Sequence, residues 1–171
     1  MYVAECPEKK LPAKNRMNKI FDRKLYEENN GKGIKTAQDF LGQFDFETID
    51  EREAYCDRDF IVKKGSFIYK VEAEKSNNWT TEGSVPGHWS SITVPYRKRH
   101  SGADYFILCN KNLTTVAICK MADVKTSPVS EKFIYMTGMK EAFFYVPLDK
   151  FDYYIYRAGI WMLEKEGPSI L

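Results

Sequence analysis

Residues 59–75 read Asp-Phe-Ile-Val-Lys-Lys-Gly-Ser-Phe-Ile-Tyr-Lys-Val-Glu-Ala-Glu-Lys, two apolar runs separated by Lys63-Lys64-Gly65-Ser66. In the second run Phe67, Tyr69, Val71 and Ala73 alternate with Ile68, Lys70, Glu72 and Glu74. A period of two is the pattern of a strand with one packed face. Closing the turn as a hairpin lays Phe60-Ile61-Val62 beside that strand and brings Asp59 toward Glu72 and Glu74. Carboxylates gathered in one place repel, and their pKa values rise unless a cation sits among them. Oxygen donors of this kind suit a divalent metal ion. The same alternation also fits a solvated strand face, with Lys70, Glu72 and Glu74 all in water. Asp57 competes with Asp59 for the first acidic position, but stands farther from the apolar run.

Downstream, Tyr105 to Cys109 and Thr114 to Cys119 predict two more strands, joined by a turn at Asn110-Lys111-Asn112-Leu113. Phe133 to Met136 and Ala142 to Val146 flank Thr137-Gly138. The aromatic run from Phe151 to Trp161 fits neither the helical nor the strand period, and its tyrosines and Trp161 are expected in the core or a dimer contact. Upstream, Met17, Ile20, Phe21 and Leu25 share one helical face, which predicts a helix over residues 13–26 that stops at Asn29-Asn30-Gly31. A short second helix is expected after Thr36, carrying Ala37, Phe40 and Leu41, ahead of an acidic stretch from Asp45 to Asp57. Residues 1–12 are polar and proline-punctuated, the composition of a flexible arm.

Residues 76–103 are the least regular stretch, and a connection of that length inside a compact domain is usually functional or hides a short element. It ends in Tyr96-Arg97-Lys98-Arg99-His100, the densest basic cluster of the chain. Trp89 and Tyr96 flank it and could stack on an unpaired base, or simply anchor the loop. Together these segments predict an α/β (α+β) fold, a single domain over residues 1–171 with a mixed central β-sheet and flanking helices.

Composition narrows the function. A chain of 171 residues with 43% hydrophobic and 15% aromatic content can build one sizeable core. Its 26 basic residues nearly balance 24 acidic ones, so bulk charge singles out no nucleic-acid partner and any basic surface must be local. Cys6, Cys56, Cys109 and Cys119 contain no close pair of the kind that holds zinc or forms a redox dithiol. Gly31-Lys32-Gly33 lacks the spacing of a phosphate-binding loop, and neither His88 nor His100 belongs to a recognisable triad. The N-terminal residues lack the apolar core of a signal peptide and no segment has the length of a membrane span. The expectation is a soluble, cytoplasmic protein with reduced thiols and no membrane partner.

An acidic residue at the mouth of one strand, followed by Glu72-Ala73-Glu74 on its neighbour, resembles the PD-(D/E)XK nuclease superfamily. The resemblance covers roughly residues 57–120, including Val94-Pro-Tyr-Arg-Lys and Ala103-Asp-Tyr-Phe-Ile-Leu. It departs from the consensus in two places: no proline precedes Asp59, and Glu74 stands in the lysine slot, as glutamate does in some restriction enzymes of the superfamily. Lys75 follows but belongs to the opposite face. The resemblance implies a restriction-endonuclease-like fold and a metal-dependent DNA endonuclease. Asp59 and Glu72 would hold Mg²⁺, with Mn²⁺ as a substitute and the carbonyl of Ala73 as a third ligand. Glu74 would bind metal or orient and deprotonate the attacking water. Glu27 or Glu28 would add a further acid from the N-terminal helix, and a homodimer would cut both strands. Arg97, Lys98, Arg99 and His100 would meet backbone phosphates. Two other readings remain: a nucleic-acid-binding protein on the same scaffold without hydrolysis, and a partner-binding protein using the aromatic C-terminal segment.

Overall fold

The computed structural model describes residues 23–50, 58–134, 138–165 and 171. The expected arm, Met17, Ile20, Phe21, Cys6, Cys56 and Asp57 lie outside them. In chain order the elements are α1 (Arg23–Gly42), β1 (Glu47–Asp50), β2 (Phe60–Lys64), β3 (Phe67–Lys75), β4 (Ser91–Pro95), a 3₁₀ turn (Tyr96–His100), β5 (Tyr105–Cys109) and β6 (Thr115–Lys120). They continue with α2 (Met121–Thr126), β7 (Val129–Ile134), β8 (Met139–Pro147), β9 (Asp152–Arg157) and β10 (Ile160–Lys165).

The expected hairpin forms. β2 and β3 pair antiparallel from Phe60 opposite Val71 to Lys64 opposite Phe67. Gly65 has φ +60° at the first central position of the two-residue turn, the type II′ pattern that matches strand twist. The hairpin belongs to a seven-stranded sheet ordered β1-β2-β3-β5-β6-β9-β10. Every neighbouring pair in it is antiparallel except β3 and β5, which run parallel. Parallel neighbours need a long crossover, and the irregular stretch after β3 is that crossover. It hides β4, which joins a second sheet ordered β4-β8-β7, and the 3₁₀ turn.

The large sheet is buried on both faces, so the architecture is mixed α/β in three layers. On one face Ala37, Phe40 and Leu41 of α1 pack on Val71, Ala73, Ile107, Val116, Ile118 and Tyr154. On the other, Ile92 and Val94 of β4 and Phe144 and Val146 of β8 pack on Phe106, Leu108, Ala117, Cys119 and Tyr153. Cys109 and Cys119 are free and buried, one on each face.

The N-terminal helices differ from expectation. α1 runs without a break through Asn29-Asn30-Gly31, and the segment after Thr36 is its continuation. Local breakers are overridden by tertiary contact. At Gly33 an added Cβ would lie 3.2 Å from both Cβ and the backbone N of Lys75, so α1 can cross β3 only where a side chain is missing. Gly31 meets nothing within 4 Å. Gly33→Ala should therefore lower stability by about 1–2 kcal/mol through overpacking against backbone, whereas Gly31→Ala should raise it by up to about 1 kcal/mol through helix propensity. Urea denaturation of the two variants checks the pair.

The C-terminal aromatic run resolves as the hairpin β9–β10. Ala158 and Gly159 have φ 51° and 86°, the two positive values of a type I′ turn. Tyr153 enters one core and Tyr154 the other, so β9 shows no alternation because both of its faces are buried. Among the described residues no helix is long and apolar enough to cross a membrane.

Candidate active site

Asp59 lies just before β2, where Phe60 already pairs with Val71. The Asp59 N–H also donates to the Val71 carbonyl at 2.9 Å. Two residues thus face one, the count of a β-bulge, a device that re-aims a side chain at a strand end. The re-aimed carboxylate accepts the Ala73 N–H at 2.8 Å through Oδ2. In a strand, N–H and C=O of one residue point to the same edge, so the Ala73 carbonyl is also turned toward Asp59.

Glu72 and Glu74 share the face of the large sheet that carries Phe106 and Leu108, their partners in β5. That face is covered by the crossover and the second sheet, so the solvated-face reading fails. The Glu72 side chain is 5% exposed and that of Glu74 26%. Ser101 donates its hydroxyl to Glu72 Oε1 at 3.1 Å, and accepts the Ala103 N–H at 3.1 Å. Lys75 packs on the opposite face against Gly33.

Lys98 stands apart from the rest of its basic cluster. In a string of four basic residues it has the look of a surface charge, yet its 3₁₀ turn points it inward. Its Nζ pairs with Glu72 Oε2 and lies 3.4 Å from Glu74 Oε1. Its neighbours stay outside. Arg97 pairs with Glu141 at 3.1 Å, Arg99 lies over the Tyr96 ring, and Arg97, Arg99 and His100 are exposed. Tyr96 packs on Phe144 and Trp89 is partly buried against the same core, so both anchor the crossover. The one available hint was chemical: three carboxylates on one face call for a cation, and the chain's densest source of cations is Tyr96–His100.

The charges are coupled. Burial and the repulsion of Glu72 and Glu74 push the Asp59 carboxyl up to about 6, against the lowering effects of the Ala73 N–H and Lys98. Burial disfavours the Lys98 ammonium, but Glu74, Glu72 and Asp59 more than offset it and hold its pKa above the ordinary lysine value. Three carboxylates against one ammonium leave two negative charges unmatched.

The three carboxylates converge, though not as a closed cation cage. Among the described residues no group of three or more His, Cys, Asp or Glu is poised to hold a metal, and the Lys98 ammonium contacts both Glu72 and Glu74. In kind the donors fit a hard divalent ion: two carboxylates and a backbone carbonyl turned to the same edge, with an excess of negative charge. Glu28 is exposed on α1, and the Glu27 side chain lies outside the described residues. No family model, no curated protein and no solved structure matches the chain.

Proposed function

We propose that the chain is a divalent-cation-dependent phosphodiesterase acting on DNA, with Asp59, Glu72, Glu74 and Lys98 as its working residues. The observation that carries this reading is Lys98. The resemblance to PD-(D/E)XK nucleases lacks a lysine at Glu74, and the fold delivers one to the same carboxylates from the crossover. A bound Mg²⁺ or Mn²⁺ would neutralise charge at a phosphodiester and lower the pKa of its water. Asp59 and Glu72 would hold it with the Ala73 carbonyl. Glu74, more accessible than Glu72, orients the attacking water and takes its proton. The Lys98 ammonium, seated beside Glu72 and Glu74, would face the charge that grows on the phosphate. Arg97, Arg99 and His100, on the outer side of the same turn, meet backbone phosphates. A two-fold dimer would give one such centre per strand of a duplex.

Nicking of supercoiled plasmid tests the reading. Cleavage is expected with Mg²⁺ or Mn²⁺, none with EDTA, and a fall of at least about 10³-fold in Asp59→Ala and Glu72→Ala, of the order seen on removing the electrostatic machinery of other enzymes. Full activity in both variants would sink it. One observation favours a second reading: Lys98 and Ser101 already satisfy Glu72, as a purely structural ion pair would. On that reading the protein binds nucleic acid without cutting it, and binding survives chelation. The third possibility, an aromatic C-terminal interface, loses Phe151, Tyr153, Tyr154 and Trp161 to the core.

A further inference from the structure

On the face of the large sheet that carries α1, a cleft of about 490 Å³ lies among Phe46, Lys64, Phe67, Tyr69 and Tyr105. A second, of about 380 Å³, lies among Tyr69, Asp104, Tyr105, Lys120 and Lys125. They share Tyr69 and Tyr105 and so form one trough. Its aromatic rings follow one another: Phe46 to Tyr69 at 5.8 Å, Phe67 to Tyr69 at 6.4 Å, Tyr69 to Tyr105 at 5.3 Å. Phe67 is 66% exposed, a large apolar surface for a residue with no core duty.

The rim is cationic. Lys64 stands 4.7 Å over the Phe46 ring, Lys120 is opposite Tyr105 in the sheet, and Lys125 donates to the Ser101 carbonyl at 2.5 Å. Among the described side chains lining the trough Asp104 carries the one carboxylate, and it already accepts the Lys70 N–H at 2.8 Å; Leu171 also lines the first cleft. Three ammonium groups around a row of ring faces match a polyanion whose bases are free to stack, the recognition mode of single-stranded nucleic acid. A duplex offers base edges, not faces, and an apolar peptide would leave the lysines unanswered. The trough and the carboxylates lie on opposite faces of the large sheet and are linked past its end, where Lys125 donates to the Ser101 carbonyl and the Ser101 hydroxyl donates to Glu72.

We infer that this trough binds unpaired nucleotides, with Phe67, Tyr69 and Tyr105 stacking on bases and Lys64, Lys120 and Lys125 on phosphates. Resting on the hydrolytic reading above, it makes the substrate a single strand or a duplex with a single-stranded branch.

Fluorescence anisotropy with a labelled oligodeoxythymidylate of about 12 nucleotides, the scale of one stacking groove, tests it in EDTA, where no cleavage intervenes. Wild-type protein should bind. Phe67→Ala should weaken binding by about tenfold, and Lys120→Ala should flatten the salt dependence by about one phosphate contact. Both side chains are exposed, so neither change threatens the fold. Absence of binding, or wild-type affinity and salt slope in both variants, would overturn the inference. Since metal and hydrolysis play no part in this assay, loss of the trough and loss of the nuclease reading are separable results.

Discussion

Lys98→Met is expected to lower the unfolding free energy by about 3 kcal/mol, the usual consequence of leaving one member of a buried ion pair without its partner. Glu72 would be that member, 5% exposed and held by Ser101 alone. Plasmid nicking should fall by about 10²- to 10³-fold in the same variant, since the charge facing the phosphate is gone. The double variant Lys98→Met/Glu72→Gln separates the two effects. With both charges removed, most of the lost stability should return, because of the two acids that remain Glu74 is partly exposed and Asp59 is relieved of the repulsion of Glu72. Cleavage should not return. Urea denaturation followed by circular dichroism reads the first quantity. A single variant as stable as wild type would mean that Glu72 does not depend on Lys98.

Asp59→Asn should act in the opposite direction on stability while also abolishing hydrolysis. In the unfolded chain Asp59 ionises near its ordinary value of 3.8, and in the metal-free folded protein only at about 6. Below the first value both states are protonated and no difference arises. As pH rises between the two, the folded state holds the proton longer than the unfolded one, so stability falls, and the full penalty persists above about pH 6. A shift of this size corresponds to about 2–3 kcal/mol. The neutral amide removes the charge and still accepts the Ala73 N–H through its oxygen. Metal-free Asp59→Asn should thus melt about 4–12 °C higher at neutral pH, on the usual scaling for chains of this length, and about equally with wild type near pH 4. Unchanged melting at neutral pH would show that the Asp59 charge is not confined with Glu72 and Glu74. Stability gained on removing a catalytic group is the expected mark of a site strained for function.

The hairpin was legible because three signals coincide in it: strict alternation from Phe67 to Glu74, a glycine where the turn needs positive φ, and apolar residues on both arms. β5 and β6 were legible on less, as two apolar runs joined by a polar turn at Asn110-Lys111-Asn112. α1 was not, because Asn29-Asn30-Gly31 is a local stop signal, while the packing of the helix on β3, where Gly33 approaches Lys75, comes from residues distant in sequence. The aromatic run hid β9 because period-two patterning vanishes when both faces are covered. At the site, Asp59, Glu72 and Glu74 could be grouped from spacing alone, since one hairpin carries all three. Lys98 could not be joined to them. It reaches Glu72 only after the crossover folds back between two parallel strands and a single 3₁₀ turn sends one of four basic side chains inward.

The central claim is that this cluster is a hydrolytic metal centre rather than a structural ion pair. Anomalous diffraction from crystals grown with Mn²⁺ tests it most directly. The account predicts a metal peak bonded to carboxylate oxygens of Asp59 and Glu72, with the Ala73 carbonyl beside it. Absence of a peak there at saturating Mn²⁺ would contradict it.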